Sequence, residues 1–213
     1  MIKAIIFDFD GVLIESASIK TEAFREVFSR WPDKVDEFAT YHIKNMGISR
    51  FVKFRYFYEN ILNEPYSEAI GAEMGRQFSD IVANKVKQAP FVSGAKDFVE
   101  MNFEKYFLFI ASGTPEAELL DIILSKKINK YFRGIYGAPA SKFEIIMKIL
   151  EAYHLQRQEA VFVGDAESDQ IAANAAGVCF VLRQSPAENT YVESIIRIPD
   201  ITHLTKVIGD LNT

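Results

Sequence analysis

Two aspartates one residue apart, Asp8 and Asp10, close the apolar run Ile2-Lys3-Ala4-Ile5-Ile6-Phe7 and stand just before Gly11. Such a run reads as a central strand, and an extended backbone points residues i and i+2 the same way. Both carboxylates then project together from the strand's carboxyl end. Carboxylates held so close repel one another unless a divalent cation neutralises them or one carries a proton. Either state is chemically useful, because an ionised carboxylate can attack as a nucleophile and a protonated one can deliver a proton. Gly11 permits a tight turn that aims backbone N–H groups at a bound anion. Taken alone, the stretch also fits a polar strand end with a turn glycine.

Three further groups of chemically capable residues each follow an apolar segment: Ser112-Gly113-Thr114, the surroundings of Lys142, and Gly164-Asp165-Ala166-Glu167-Ser168-Asp169. Each has a plain alternative. Thr114 can cap a helix that begins with Pro115, Asp165 and Asp169 can cap another, and Lys142 can be a solvated lysine. Their joint occurrence is what carries weight.

The elements that must position these groups follow from periodicity. Strands are expected at Tyr106–Ala111, Ile135–Gly137, Ala160–Val163 and Val178–Leu182. Helices are expected over Ala95–Met101, Lys142–Tyr153, an alanine-rich stretch ending near Gly177, and Ile201–Leu211. Ser112–Glu116 reads as a strand-to-helix turn, and Arg183–Asp200 gives only a weak signal. Alternating strands and helices of this kind specify an α/β fold with a parallel sheet, whose carboxyl strand ends lie along one edge. The four polar groups therefore converge on one crevice. Residues 14–88 differ in character: they show helical periodicity, with stripes at Ala23, Phe24, Val27 and Phe28 and at Phe51, Phe54, Phe57, Tyr58, Ile61 and Leu62, punctuated by Pro32, Gly47 and Pro65. They form a helical bundle inserted behind the first strand.

With 213 residues, the chain can bury a full core. Its net charge of −5, with 49% hydrophobic and 25% charged residues, fits a soluble globular protein and argues against nucleic acid as the partner. The single cysteine, Cys179, excludes an internal disulfide and a thiolate metal cluster. No apolar stretch is long enough to span a membrane, and no signal-peptide pattern precedes the first strand, so the expected location is cytoplasmic. The sequence assigns no oligomeric state.

Asp8-Phe9-Asp10-Gly11-Val12, Ser112-Gly113-Thr114, Lys142 and Gly164-Asp165-x-x-x-Asp169 resemble, in order and separation, the four motifs of the haloacid dehalogenase-like phosphatases. The resemblance implies a Rossmann-like parallel sheet core, residues 1–13 and 89–213, with residues 14–88 as an α-helical cap domain that selects the substrate. It implies that Asp8 is the nucleophile forming an aspartyl phosphate and that Asp10 is the general acid and then base. Lys142 is the catalytic lysine that pairs with phosphate and Asp8, while Ser112, Gly113 and Phe9 are phosphate-binding positions. Mg²⁺ is the implied cofactor, held by Asp8, the backbone carbonyl of Asp10, Asp165 and Asp169. The implied partner is a small phosphorylated metabolite, such as a sugar phosphate or a phosphoglycolate-like acid.

Within the superfamily, the second acid Asp10 separates phosphatases and phosphomutases from the dehalogenases, which lack it. Phe143 follows Lys142 where the family commonly has proline. Gly47-Ile48-Ser49-Arg50 looks like a cap segment of β-phosphoglucomutase-type enzymes and makes Arg50 a candidate substrate contact. Lys20 stands where those mutases carry a histidine, which favours hydrolysis over a mutase cycle. His42, Lys44, Lys53 and Arg55 are further cap cations. A sugar phosphomutase is the nearest alternative. A receiver-like phosphoacceptor, from another class, fits the long insertion poorly. A P-loop reading of Gly137–Lys142 lacks the glycine before the lysine.

Overall fold

The computed structural model describes residues 1–184 and 196–213. Strand β1 (Ala4–Phe7) lies at the centre of a parallel sheet with β2 (Phe107–Pro115), β3 (Gly134–Ala138), β4 (Ala160–Gly164), β5 (Cys179–Arg183) and β6 (Ile196–Ile198), in the order β3-β2-β1-β4-β5-β6. Ala-Ile-Ile-Phe suits β1 because a central parallel strand is covered on both faces and needs apolar side chains on each. Ile5 and Phe7 enter one core layer, Ala4 and Ile6 the other.

The helices are α1 (Ala17–Val27), α2 (Pro32–Lys44), α3 (Arg50–Tyr56), α4 (Glu68–Gln88), α5 (Ala95–Asn102), α6 (Glu116–Ser125), α7 (Lys142–Ala152), α8 (Glu167–Ala176) and α9 (Leu204–Asp210). Helices α5, α6 and α9 bury Phe98, Leu119, Ile122 and Leu204 in the layer that holds Ile5 and Phe7. Helices α7 and α8 cover the other face through Ile145, Ile146, Ile149 and Ala173. This is the expected α/β architecture.

Helices α1 to α4 form the insert, and its interior is aromatic. Phe24, Phe28, Phe38, Phe54, Phe57 and Phe78 are all essentially buried. The Phe28 and Phe57 rings stack with centroids 3.9 Å apart, and Phe24 meets Phe78 at 4.6 Å. Truncating one of these rings to alanine costs roughly 3–5 kcal/mol, since neighbours refill such a hole only partly. The α1 stripe is buried as its spacing requires. In the second stripe Phe51 is the exception, exposed at 39%. The π-helical segment Phe57–Leu62 follows α3 and keeps Phe57, Tyr58 and Ile61 inward. The two strands of chain joining insert to sheet run side by side, with an antiparallel bridge between Ile14 and Phe91.

Three local expectations are corrected. Residues 112–115 are not a turn capped by Thr114: β2 continues to Pro115, which itself precedes α6 with an extended ψ of 135°. The strand extends because Ala138 of β3 still pairs with Pro115 beyond a register shift. The weak stretch after Arg183 contains edge strand β6, while residues 185–195 lie outside the described ones. The expected last helix starts as a short turn over Ile201–His203, capped by the Asp200 side chain on Thr202 N–H, before α9 begins.

Candidate active site

The first turn of the chain after β1 places Asp8 and Asp10 at the carboxyl edge of the sheet, and β2, β3 and β4 deliver their following residues to the same edge. Gly11 adopts φ +78°, and a Cβ there would fall 2.0 Å from Asp165 Oδ2. Only glycine allows the first loop to lie against the loop after β4. Arg183, at the end of β5, braces that loop by donating to the Gly11 carbonyl at 3.1 Å and to Glu15 at 2.6 Å.

Lys142 begins α7, whose start is fixed by a reciprocal cap between Ser141 and Glu144. Its Nζ lies 3.0 Å from Asp8 Oδ2 and also hydrogen-bonds Asp169 Oδ1. Burial works against the ammonium, but the carboxylates of Asp169 and Asp8 outweigh it and push the Lys142 pKa up. Asp8 is pushed up to about 7, chiefly by burial, which the nearby Lys142 only partly offsets while Asp169 and Asp10 add to it. Asp8 Oδ1 accepts the N–H of Phe9 at 2.7 Å.

Asp10 behaves in the opposite way. Burial would raise its pKa, but the Lys20 ammonium and hydrogen bonds from Lys20, Ser16 and Thr114 prevail and hold it below the ordinary carboxylate value. Ser16 donates to Oδ1 at 2.6 Å and Thr114 to Oδ2 at 3.0 Å, while Lys20 Nζ bonds both Oδ2 and the Thr114 hydroxyl, the latter at 2.6 Å. The two aspartates are thus driven apart in acidity by different partners.

Asp8, Asp165 and Asp169 each offer a carboxylate oxygen within 4.8 Å of the others, and all three are buried. Hard oxygen donors clustered in this way, with Asp8 strained towards its neutral form, suit a small divalent cation. The donor set fits Mg²⁺. Asp169 also has structural work: Oδ1 takes Lys142, and Oδ2 takes the N–H groups of Asp165 and Ala166 at 3.2 Å each.

The insert closes over this edge. Ser168 donates to the Met46 carbonyl at 2.5 Å, and Gly113 lies so close to the Gly47 carbonyl that a Cβ would meet it at 2.6 Å. Arg50 is buried at the start of α3, where it bonds Ser79 at 3.0 Å and Glu118 of α6. A cavity of about 60 Å³ remains, bounded by Asp8, Asp10 and Asp165 below and by Lys20, Arg50 and Lys53 above.

The structure therefore brings together Asp8, Asp10, Gly113, Lys142, Asp165, Asp169, Lys20 and Arg50. Ser112 is fully buried, and its hydroxyl accepts from the Thr114 N–H at 3.1 Å. The Phe9 ring is in the core. The sequence reading did not single out Ser16, Glu118 or Arg183 for the site, and it left Thr114 between cap and chemistry. Ser16, Glu118 and Arg183 belong to no spaced motif; only a hydroxyl six residues past Asp10 points to Ser16.

Residues 5–182 match the family model described as haloacid dehalogenase-like hydrolase. The chain is 27% identical over 185 residues to a phosphorylated carbohydrates phosphatase of Thermotoga maritima, covering 83% of this chain and 82% of that one. Among solved structures, it is similar to the β-phosphoglucomutase of Clostridium difficile, with TM-score 0.81, 18% identity and coverage of 100% and 98%. It also resembles a predicted phosphoglycolate phosphatase from Haemophilus somnus, with TM-score 0.74, 16% identity and coverage of 97% and 98%. At these identities the structural likenesses establish the fold.

Proposed function

The chain belongs to the haloacid dehalogenase-like hydrolase family, and from that premise we propose that it is a Mg²⁺-dependent phosphatase acting on a small phosphorylated metabolite through an aspartyl phosphate on Asp8. The observation that carries this reading is the split environment of the two aspartates. Asp8 faces Lys142 and the acidic cluster, while Asp10 is tied to Lys20, Ser16 and Thr114.

An Asp8 oxygen attacks phosphorus, the P–O bond to the alcohol breaks, and the leaving oxygen takes a proton from Asp10. Water then attacks phosphorus of the aspartyl phosphate, giving its proton back to Asp10 and freeing Asp8 and inorganic phosphate. Asp10 rests ionised beside Lys20. A phosphoryl dianion arriving next to it favours the protonated form needed for the first step. Lys142 orients Asp8, and Asp169 fixes Lys142. Gly113, in the last part of β2 beside the cavity, would offer its N–H to the transferring oxygens, while Phe9 N–H holds the Asp8 carboxylate in place for attack. Mg²⁺ held by Asp8, Asp165 and the Asp10 carbonyl would supply positive charge that keeps Asp8 ionised and offsets charge on the phosphoryl oxygens.

Residues 14–88 act as the cap, with residues 1–13 and 89–213 as the catalytic core. The phosphatase name of the Thermotoga relative supports a phosphorylated carbohydrate or related metabolite as substrate. Incubating the protein with Mg²⁺ and a panel of phosphate monoesters should release inorganic phosphate, and EDTA should stop it. Isomerised product without release would make the chain a phosphomutase instead.

A further inference from the structure

Lys53 is a buried lysine with no carboxylate within ion-pair distance among the described residues; Asp10 acts on it only from further off. It is 2% exposed and borders the cavity opposite Asp8 and Asp10. The other cations around that space are paired: Lys20 with Asp10, Arg50 with Glu118, Lys142 with Asp8 and Asp169. Among the described residues Lys53 Nζ has one hydrogen bond, to His42 Nδ1 at 2.8 Å, and it stands 5.2 Å from the centre of the Phe24 ring. An ammonium has three donors, so the others are left for the cavity. Burying a charge without a counter-charge is costly, and such groups persist where something else completes them.

His42 makes the arrangement directional. Burial, with Lys53 and Arg25 nearby, pulls its pKa down to about 3, so the ring is neutral. Nδ1 must then accept from Lys53, and Nε2–H donates to the Thr21 hydroxyl at 3.0 Å, which donates to the Ala17 carbonyl at 3.0 Å. This chain runs through α2, α1 and α3 and fixes the lysine head. Space in the cavity is small. At about 60 Å³ it holds a handful of water-sized positions, given ~10–15 Å³ for each.

We propose that Lys53, positioned by His42, is a specificity-determining residue that binds a second anionic group of the substrate, which makes the substrate a compact phosphate monoester carrying a carboxylate or a further phosphate. This rests on the phosphatase reading of the same cavity. The phosphoryl group sits at Asp8, and the second anion completes the ion pair that the protein leaves open at Lys53.

The test is calorimetric binding, with Mg²⁺, to the Asp8→Asn protein, which holds ligand without turnover. The probes are 2-phosphoglycolate for a carboxylate tail, 1,3-propanediol bisphosphate for a phosphate tail, and ethyl phosphate for a neutral tail. At least one acid-tailed probe should bind tenfold or more tightly than ethyl phosphate, and the tighter of the two names the anion. Adding Lys53→Met should abolish that preference while changing ethyl phosphate affinity less than threefold; His42→Phe should weaken it partly. Melting curves check that the variants fold. Equal affinity for all three probes, no binding of either acid-tailed probe, or a uniform loss in the Lys53→Met protein would overturn the proposal. Phosphate release from ethyl phosphate by the wild type keeps the two readings separable. Release without tail preference sinks only the Lys53 subsite, and selective binding without release from any ester sinks only the phosphatase.

Discussion

Lys20, on the first helix of the insert, hydrogen-bonds the carboxylate of Asp10 at the end of the central strand, so the group proposed to move the proton is tied to the element that closes over it. Thr114 of β2 lies in the same knot, 2.6 Å from Lys20 Nζ and 3.0 Å from Asp10 Oδ2. Opening the insert would break the knot and return Asp10 towards an ordinary carboxylate.

Lys20→Met removes the ammonium but keeps most of the stem. Asp10 then loses the contact that fixes its carboxylate between Lys20 and Thr114, so the proton is no longer aimed at the leaving oxygen even though its pKa rises. The expected result is a loss of tenfold or more in kcat with a smaller change in KM, read from phosphate release. An unchanged kcat would show that the pairing is incidental.

Asp169 and Asp165 are separable by experiment. Both Asp169 oxygens are already engaged by Lys142 and by two backbone N–H groups, so Asp169→Asn should lower kcat about 10–100-fold while leaving the Mg²⁺ requirement within a few fold. Asp165→Asn should raise the half-saturating Mg²⁺ concentration tenfold or more. Equal effects of both changes on Mg²⁺ would make Asp169 a ligand of equal standing.

Arg50 bridges insert and core through Glu118, whose other carboxylate oxygen is buried with no hydrogen bond among the described residues. Arg50→Ala strands that acid and should destabilise the protein by about 3 kcal/mol. The double change Arg50→Ala with Glu118→Ala should recover part of the loss. A stability loss in the double variant equal to the sum of the two single losses would mean that the two side chains do not interact.

The Lys53 charge also predicts a pH dependence of stability. Burial first, then the Lys20 and Lys142 charges, outweigh Asp10 and depress its pKa from 10.5 to about 7, with His42 as the direct neighbour. Between those values the unfolded chain holds more protons than the folded one. This group's penalty is therefore full below pH 7 and is relieved as pH rises towards 10. Lys53→Met should melt higher than wild type near pH 6, and the gap should close by about pH 10. A gap constant with pH would contradict the assignment.

Much of this site was legible because parallel sheets carry their strand ends to one edge. Once Asp8, Ser112, Lys142 and Asp165 each follow an apolar strand, their convergence is set by topology. The catalytic core needed only spacing. What spacing could not supply was the partner chemistry across elements. Thr114 looks locally like a cap, and only the continuation of β2 turns its hydroxyl to Asp10. Glu118 reads as first-turn helix acid, yet it holds Arg50 from the far side of the cavity mouth. Lys53 reads in the sequence as one cap cation among several, and its lack of an ion-pair partner among the described residues depends on how α1, α2 and α3 pack.

The central claim is that Asp8 carries the phosphoryl group. It is tested most directly by rapid acid quench of the protein turning over a ³²P-labelled monoester with Mg²⁺, followed by peptide mapping of the trapped label. Label on the peptide that contains Asp8, with neither label nor phosphate release in the Asp8→Asn protein, is the predicted result. Steady multiple turnover by Asp8→Asn, or label trapped on another residue, would contradict it.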